Sequence, residues 1–145
     1  MRFKNVLMLF FVLTLVVACA GKKKTSVESE VAEVAVSDGD RVYFDFDKYN
    51  LKSEAVATLD GQAKALKTDT KKKVTIEGHC DERGTRDYNY GLGRRRANAV
   101  KDYLVKKGIA PARIKTVSYG KDRPQVQGTG EEVWAKNRVA ITVEK

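Results

Sequence analysis

The sequence predicts an α+β fold: a small mixed four-stranded sheet with helices packed on it, in the order strand, helix, strand, helix, strand, short helix, strand. Three observations predict it. The stretches "KVTIEGHC" and "RVAITVEK" alternate apolar and polar residues, the period of half-buried strands. Two longer stretches repeat apolar residues every three or four positions, the period of amphipathic helices. A chain of 145 residues has room for one domain with a core of its own, and not for two comfortable ones.

The elements follow in order. "RVYFDF" is dense in β-branched and aromatic residues, which places the first strand at residues 42–44. "SEAVATLDGQAKALK" spaces Val56, Leu59, Ala63 and Leu66 along one helical stripe, with Ser53 read as the N-cap. After a basic turn, "KVTIEGHC" sends Val74, Ile76, Gly78 and Cys80 to one face, expected to meet the helices, and Thr75, Glu77 and His79 to the other. The second helix is expected over residues 88–107, with Leu92, Ala99, Val100, Tyr103 and Leu104 inward. Gly108 supplies a left-handed stop and Pro111 prevents continuation. "RIKTVSYG" reads as the third strand, "KDRPQVQGTG" as a loop, "EEVWAKN" as a short helical turn, and "RVAITVEK" as the last strand.

Ahead of this domain, Arg2 and Lys4 precede an apolar run from Val6 to Ala18, the pattern of a secretory signal peptide and too short for a membrane-spanning helix. The run ends in Val16, Val17, Ala18 and Cys19, which resembles the lipobox of bacterial lipoproteins, where the cysteine is acylated and becomes the mature N-terminus. By that resemblance, Ala20 in place of an aspartate favours the outer membrane. Residues 1–18 are thus read as a lipoprotein signal, 19–40 as the lipidated N-terminus and a flexible tether, and 41–145 as the folded domain.

An acylated Cys19 leaves Cys80 alone, so no disulfide framework is expected. The formal net charge is +9, and loss of Arg2 and Lys4 with the signal still leaves a basic protein suited to anionic partners. Nucleic acid is not expected among them. The runs Lys22 to Lys24 and Lys71 to Lys73 lack the interleaved aromatics of a single-strand groove, and the chain reads as exported.

The densest chemistry lies in "GHCDERGTRDYNYGLGRRRANAVKDYL". A metal site needs three or four converging ligands, but the chain's only histidine, His79, and its neighbour Cys80 point to opposite faces of a strand. No metal and no cofactor are expected. Nor can His79 serve as a base for a Cys80 nucleophile, which leaves Cys80 as a small buried thiol. The arginines are more informative. Arg96 shares a helical stripe with Leu92 and Ala99 and therefore points towards the sheet, where an unpaired charge is costly. Its candidate partner is Asp81 at the strand's exit, or an anion brought by a ligand. A carboxylate and a guanidinium facing one cleft complement a zwitterion, and a structural ion pair between the two fits the pattern equally well.

Four segments, "VYFDFDKYNL", "VTIEGHCDERGTRDYNYGLGRRRANAVKDYL", "VSYGKDRP" and "WAKNRVAITV", resemble the OmpA-like domain family, and within it the peptidoglycan-associated lipoproteins. The resemblance covers nearly all of residues 41–143. It implies non-covalent binding of peptidoglycan through the free end of the meso-diaminopimelate side chain, an ammonium and a carboxylate together. The aspartate of the family's "GHxD" element falls on Asp81, and the arginine before "AN" on Arg96. The same family pocket implies roles for Phe46, Asp47, Arg83, Asn89 and Leu92. It further implies an outer-membrane lipoprotein held in the lipid by Cys19, and participation in the Tol-Pal system with TolB and other Tol proteins as partners. The sequence departs from the family at Cys80, where alanine or threonine is usual, and at "NRV", where Val139 replaces a second arginine. The alternative function is a periplasmic peptidoglycan-processing enzyme. Against it, the paired histidine and acid ligands of a zinc amidase are missing, and no glycosidase carboxylate pair can be placed.

Overall fold

The computed structural model describes residues 38–145; the signal segment, Cys19 and most of the tether lie outside the described residues. The strands are β1 (Arg41–Tyr43), β2 (Val74–His79), β3 (Ile114–Gly120) and β4 (Val139–Glu144), and the helices α1 (Ser53–Thr68), α2 (Arg86–Lys106) and α3 (Glu131–Asn137). The sheet is mixed, in the order β1-β4-β2-β3. β4 pairs antiparallel with both β1 and β2, while β2 and β3, joined through α2, run parallel.

Strand parity places Val42, Ile76 and Ala140 on one face with α1 and α2, where they close the core with Leu59, Leu66, Val100 and Leu104. Residues Asp38–Asp40, expected in the tether, form a short 3₁₀ turn tied to α1 by Gln62 Nε2 donating to Gly39 O at 2.8 Å. The folded part therefore begins slightly earlier than the sequence suggests.

Two expectations need correction. Ser53 is not the N-cap of α1: Lys52 holds that position with extended backbone and no capping side chain, and the Ser53 hydroxyl instead lies 3.4 Å from Glu54 Oε2. In α2 the buried stripe is Asn89, Leu92, Gly93, Arg96, Ala97, Val100 and Leu104, so Ala97 takes the place expected for Ala99. A pair of glycines accounts for this. A Cβ on Gly78 of β2 would stand 1.9 Å from Gly93 O, and one on Gly93 would meet Ser118 Oγ at 2.4 Å. With neither present, the helix backbone lies directly on the strands. Gly108 ends the helix at φ +102°, as expected.

His79 and Cys80 do take opposite faces, yet both are buried. Cys80 packs under α2, its thiol donating to Asn89 O at 3.3 Å. On the far face, Arg123 from the loop after β3 covers His79, with Arg123 O 3.1 Å from Nδ1. Burial pushes the His79 pKa down to about 4, and the ring is neutral near pH 7.

Candidate functional site

The close seating of α2 on β2 brings the helix's first turns over the strand's exit. Thr85 caps α2, its hydroxyl accepting from Tyr88 N at 3.2 Å. The buried Asn89 side chain donates to Arg83 O (2.7 Å) and Thr85 O (3.0 Å), fixing the loop between strand and helix. One turn past Gly93, Arg96 enters the interior.

Arg96 is 1% exposed and is satisfied by carbonyls rather than by Asp81. Its Nε donates to Lys48 O (2.8 Å), Nη1 to His79 O (2.9 Å) and Nη2 to Asp45 O (3.1 Å), while the guanidinium lies 5.1 Å from the Phe44 ring centre. Among the described residues no carboxylate stands within ion-pair distance of it. Burial lowers its pKa, but arginine titrates so high that the charge remains. An Asp81–Arg96 ion pair, one of the two readings the sequence leaves open, is therefore absent: the turn at 45–48 offers two carbonyl oxygens and the exit of β2 a third. That turn is shaped by Asp47, a non-glycine residue at φ 55°, and by the Lys48 N–H donating to Asp45 O at 3.1 Å.

Asp81 pairs elsewhere. Its carboxylate accepts from Arg83 N (3.1 Å), Nε (3.2 Å) and Nη2 (2.7 Å), and Arg138 Nη1 lies 3.6 Å away. Burial pushes the Asp81 carboxyl up, but these bonds and the two guanidinium charges outweigh it and hold the pKa below its ordinary value. Arg83 is in turn sandwiched between the Phe46 and Trp134 rings, at 3.9 and 4.1 Å. Trp134 is itself held by Glu82, which accepts its indole N–H at 2.8 Å, and Arg138 is held by Glu131 at 2.6 Å and by Phe44 O at 2.8 Å.

Asp81, Arg83, Phe46 and Arg96 border an open cleft of about 170 Å³, room for the end of one long side chain. All seven residues named from the sequence line it: Phe46, Asp47, Asp81, Arg83, Asn89, Leu92 and Arg96. Cys80, Gly84 and Tyr88 complete the lining. Tyr88, whose hydroxyl donates to Asp47, was missed, although its position one turn before Leu92 on the same helix could have indicated it. Arg138, Glu131 and Trp134 were missed as well, and no local pattern in the sequence ties them to a loop some 50 residues away. The charged lining consists of Asp47, Asp81, Arg83 and Arg96, two of each sign. Acceptor oxygens and a carboxylate-free guanidinium in one small cleft match a ligand that carries both charges. Among the described residues, no three histidine, cysteine or acidic side chains converge as a metal site requires.

Comparison with known proteins agrees with this architecture. The OmpA family pattern matches residues 43–138. The peptidoglycan-associated lipoprotein of Rhizobium meliloti is 40% identical over 154 residues, 97% of this chain and 88% of that protein. That of Pseudomonas aeruginosa is 47% identical over 121 residues, 83% of this chain and 70% of its own. The crystal structure of the peptidoglycan-associated lipoprotein from Burkholderia pseudomallei superposes with a TM-score of 0.71 at 40% identity, covering 73% of this chain and 90% of that one. The C-terminal domain of Helicobacter pylori MotB, 19% identical, shares the fold with a TM-score of 0.68 over 73% of this chain and 84% of its own. The chain belongs to the OmpA family, among its peptidoglycan-associated lipoproteins.

Proposed function

We propose that this protein is an outer-membrane lipoprotein whose domain binds peptidoglycan non-covalently by enclosing the zwitterionic end of the meso-diaminopimelate side chain. The observation that carries the reading is Arg96: a buried cation facing a cleft, held by neutral carbonyls alone and short of a counter-ion. The ligand's carboxylate supplies that counter-ion. Its ammonium meets Asp81 and Asp47, and its methylenes lie against Leu92 and Phe46. Lipids on Cys19 hold the protein in the membrane, and the domain at the end of its tether holds the wall. Several acyl chains anchor stably where one is marginal. By family resemblance the protein acts in the Tol-Pal system, with TolB and other Tol proteins as partners, in envelope integrity and cell division.

The role is adhesion without catalysis. Asp81 is engaged by Arg83 and Asp47 by the Tyr88 hydroxyl, and the buried thiol of Cys80, its pKa raised to about 11 by burial, stays protonated and unreactive. The test is sedimentation of the protein with purified diaminopimelate-type peptidoglycan. Wild type is expected in the pellet. Asp81→Asn, which keeps the side chain's shape, is expected to bind roughly tenfold or more weakly through loss of a charged hydrogen bond. Undiminished binding by Asp81→Asn defeats the clamp, and release of soluble wall fragments by wild type defeats the adhesion reading in favour of an enzyme.

A further inference from the structure

The cleft occupies one pole of the domain, at the exit of β2. The opposite pole, about 20 Å away along that six-residue strand, is basic. Here α1 and α2 both end, β3 begins and β4 finishes. Lys64, Lys67, Lys71, Lys73, Lys106 and Lys145 are exposed there, and none forms an ion pair among the described residues. The neighbouring acids are largely engaged: Glu144 by Lys72 at 2.5 Å, Asp60 by Lys107 at 2.9 Å, and Asp69 by the Lys71 backbone N–H at 3.2 Å.

Lysines near helix C-termini ordinarily serve the helix itself, answering its dipole and its last carbonyls. At α1 that duty is already taken. Arg113 donates to Leu66 O (2.8 Å), Asp69 O (2.6 Å) and Lys72 O (2.9 Å), which closes the end of the helix and the turn after it. Lys106 in the last turn of α2 answers that helix's dipole, but Lys71, Lys73 and Lys145 have neither a helix end to serve nor an ion-pair partner among the described residues.

The chain enters the domain at this same pole. The turn Asp38–Asp40 packs on α1, and Asp40 borders a small hollow with Lys72, Val74, Thr142 and Glu144. Residues 38–40 therefore lie at the lysine pole, away from the cleft, and the sequence before them carries the further run Lys22 to Lys24.

We propose that the lysine pole is a docking surface for an anionic phospholipid membrane, the membrane that carries the Cys19 lipids. The proposal rests on the anchoring reading above. Charge complementarity and the point of chain entry select this occupant: lysines close to an anionic surface strengthen partitioning by roughly fivefold each and act within a Debye length. The two poles then have separate tasks, one facing lipid while the other remains open to the wall.

The test uses the full acylated chain mixed with vesicles of phosphatidylcholine alone or with added phosphatidylglycerol, and reads lysine acetylation by mass spectrometry. On anionic vesicles Lys67, Lys71, Lys73 and Lys106 are expected to react at least several-fold more slowly than on neutral ones. Lys121 and Lys136 should be unchanged, and the protection should vanish at high salt and in Lys71→Glu/Lys73→Glu. Flotation with both vesicle types but equal acetylation overturns the docking surface and leaves the anchor standing. Flotation with anionic vesicles only, with these lysines protected, supports the surface and overturns the anchor. Flotation with neither overturns both, and equal protection by inorganic phosphate beside neutral vesicles overturns the membrane as occupant.

Discussion

Replacing Arg96 by alanine is expected to weaken the fold as well as the site. The guanidinium ties Asp45 and Lys48 of the turn after β1 to His79 at the exit of β2. Hydrogen bonds from a charged donor contribute about 1.5–3 kcal/mol each, so three amount to roughly 4–9 kcal/mol gross. Against this stands the desolvation of the cation, several kcal/mol recovered once it is gone. The buried His79 O loses its Arg96 donor, whereas water can reach the more exposed oxygens of Asp45 and Lys48. Truncating so large a buried side chain also opens a cavity. The net expectation is a loss of about 3–5 kcal/mol, and since each kcal/mol moves the midpoint of a domain this size by about 4–8 °C, thermal unfolding should fall by at least about 12 °C. Arg96→Lys keeps the charge but not the planar fork, and is expected to lose less than half as much. Urea unfolding of both variants, with hydrogen exchange at residues 45–48, measures this. A loss under about 1 kcal/mol for Arg96→Ala, with the turn still protected, would refute the reasoning and leave Arg96 with a ligand role alone.

Further expectations concern the surroundings of the cleft. His79 has a folded pKa of about 4 against about 6.5 unfolded, so its contribution is complete above pH 6.5 and declines as pH falls towards 4. At up to 1.36 kcal/mol per pH unit this approaches 3 kcal/mol, and urea midpoints across pH 4–7 should flatten in His79→Gln. The Cys80 thiol, with its pKa raised to about 11 by burial, should resist a disulfide reagent in the native protein at pH 8 and react on unfolding. Cys80→Ala should leave peptidoglycan binding within about twofold, since the change on the cleft floor is a lost sulfur and not a lost charge. Gly78→Ala forces a methyl against Gly93 O at 1.9 Å and should cost about 3 kcal/mol in urea unfolding, because the obstacle is helix backbone that cannot swing aside.

What was legible in the sequence follows the range of each interaction. Period-two and helical spacing placed β2, α2 and the inward turn of Arg96, because these depend on neighbours within a turn or a strand. The partner of Arg96 was not legible: the choice between Asp81 and three carbonyls depends on how the turn at 45–48 folds against a strand end more than 30 residues away. His79 was assigned to the face away from the helices, but its burial there comes from the loop carrying Arg123. The stack of Phe46, Arg83 and Trp134 draws on three distant segments, and only its first two members were named, through family resemblance. Ser53 fitted the composition of an N-cap, yet the backbone places Lys52 there, a shift of one residue that composition does not resolve.

The central claim is that the cleft reads both charges on one side-chain end. Calorimetric titration with two stem peptides tests it most directly, one bearing meso-diaminopimelate and the other lysine, which keeps the ammonium and lacks the terminal carboxylate. Loss of a charged hydrogen bond to Arg96 should weaken the lysine peptide by at least about tenfold. Equal affinity for the two would contradict the account.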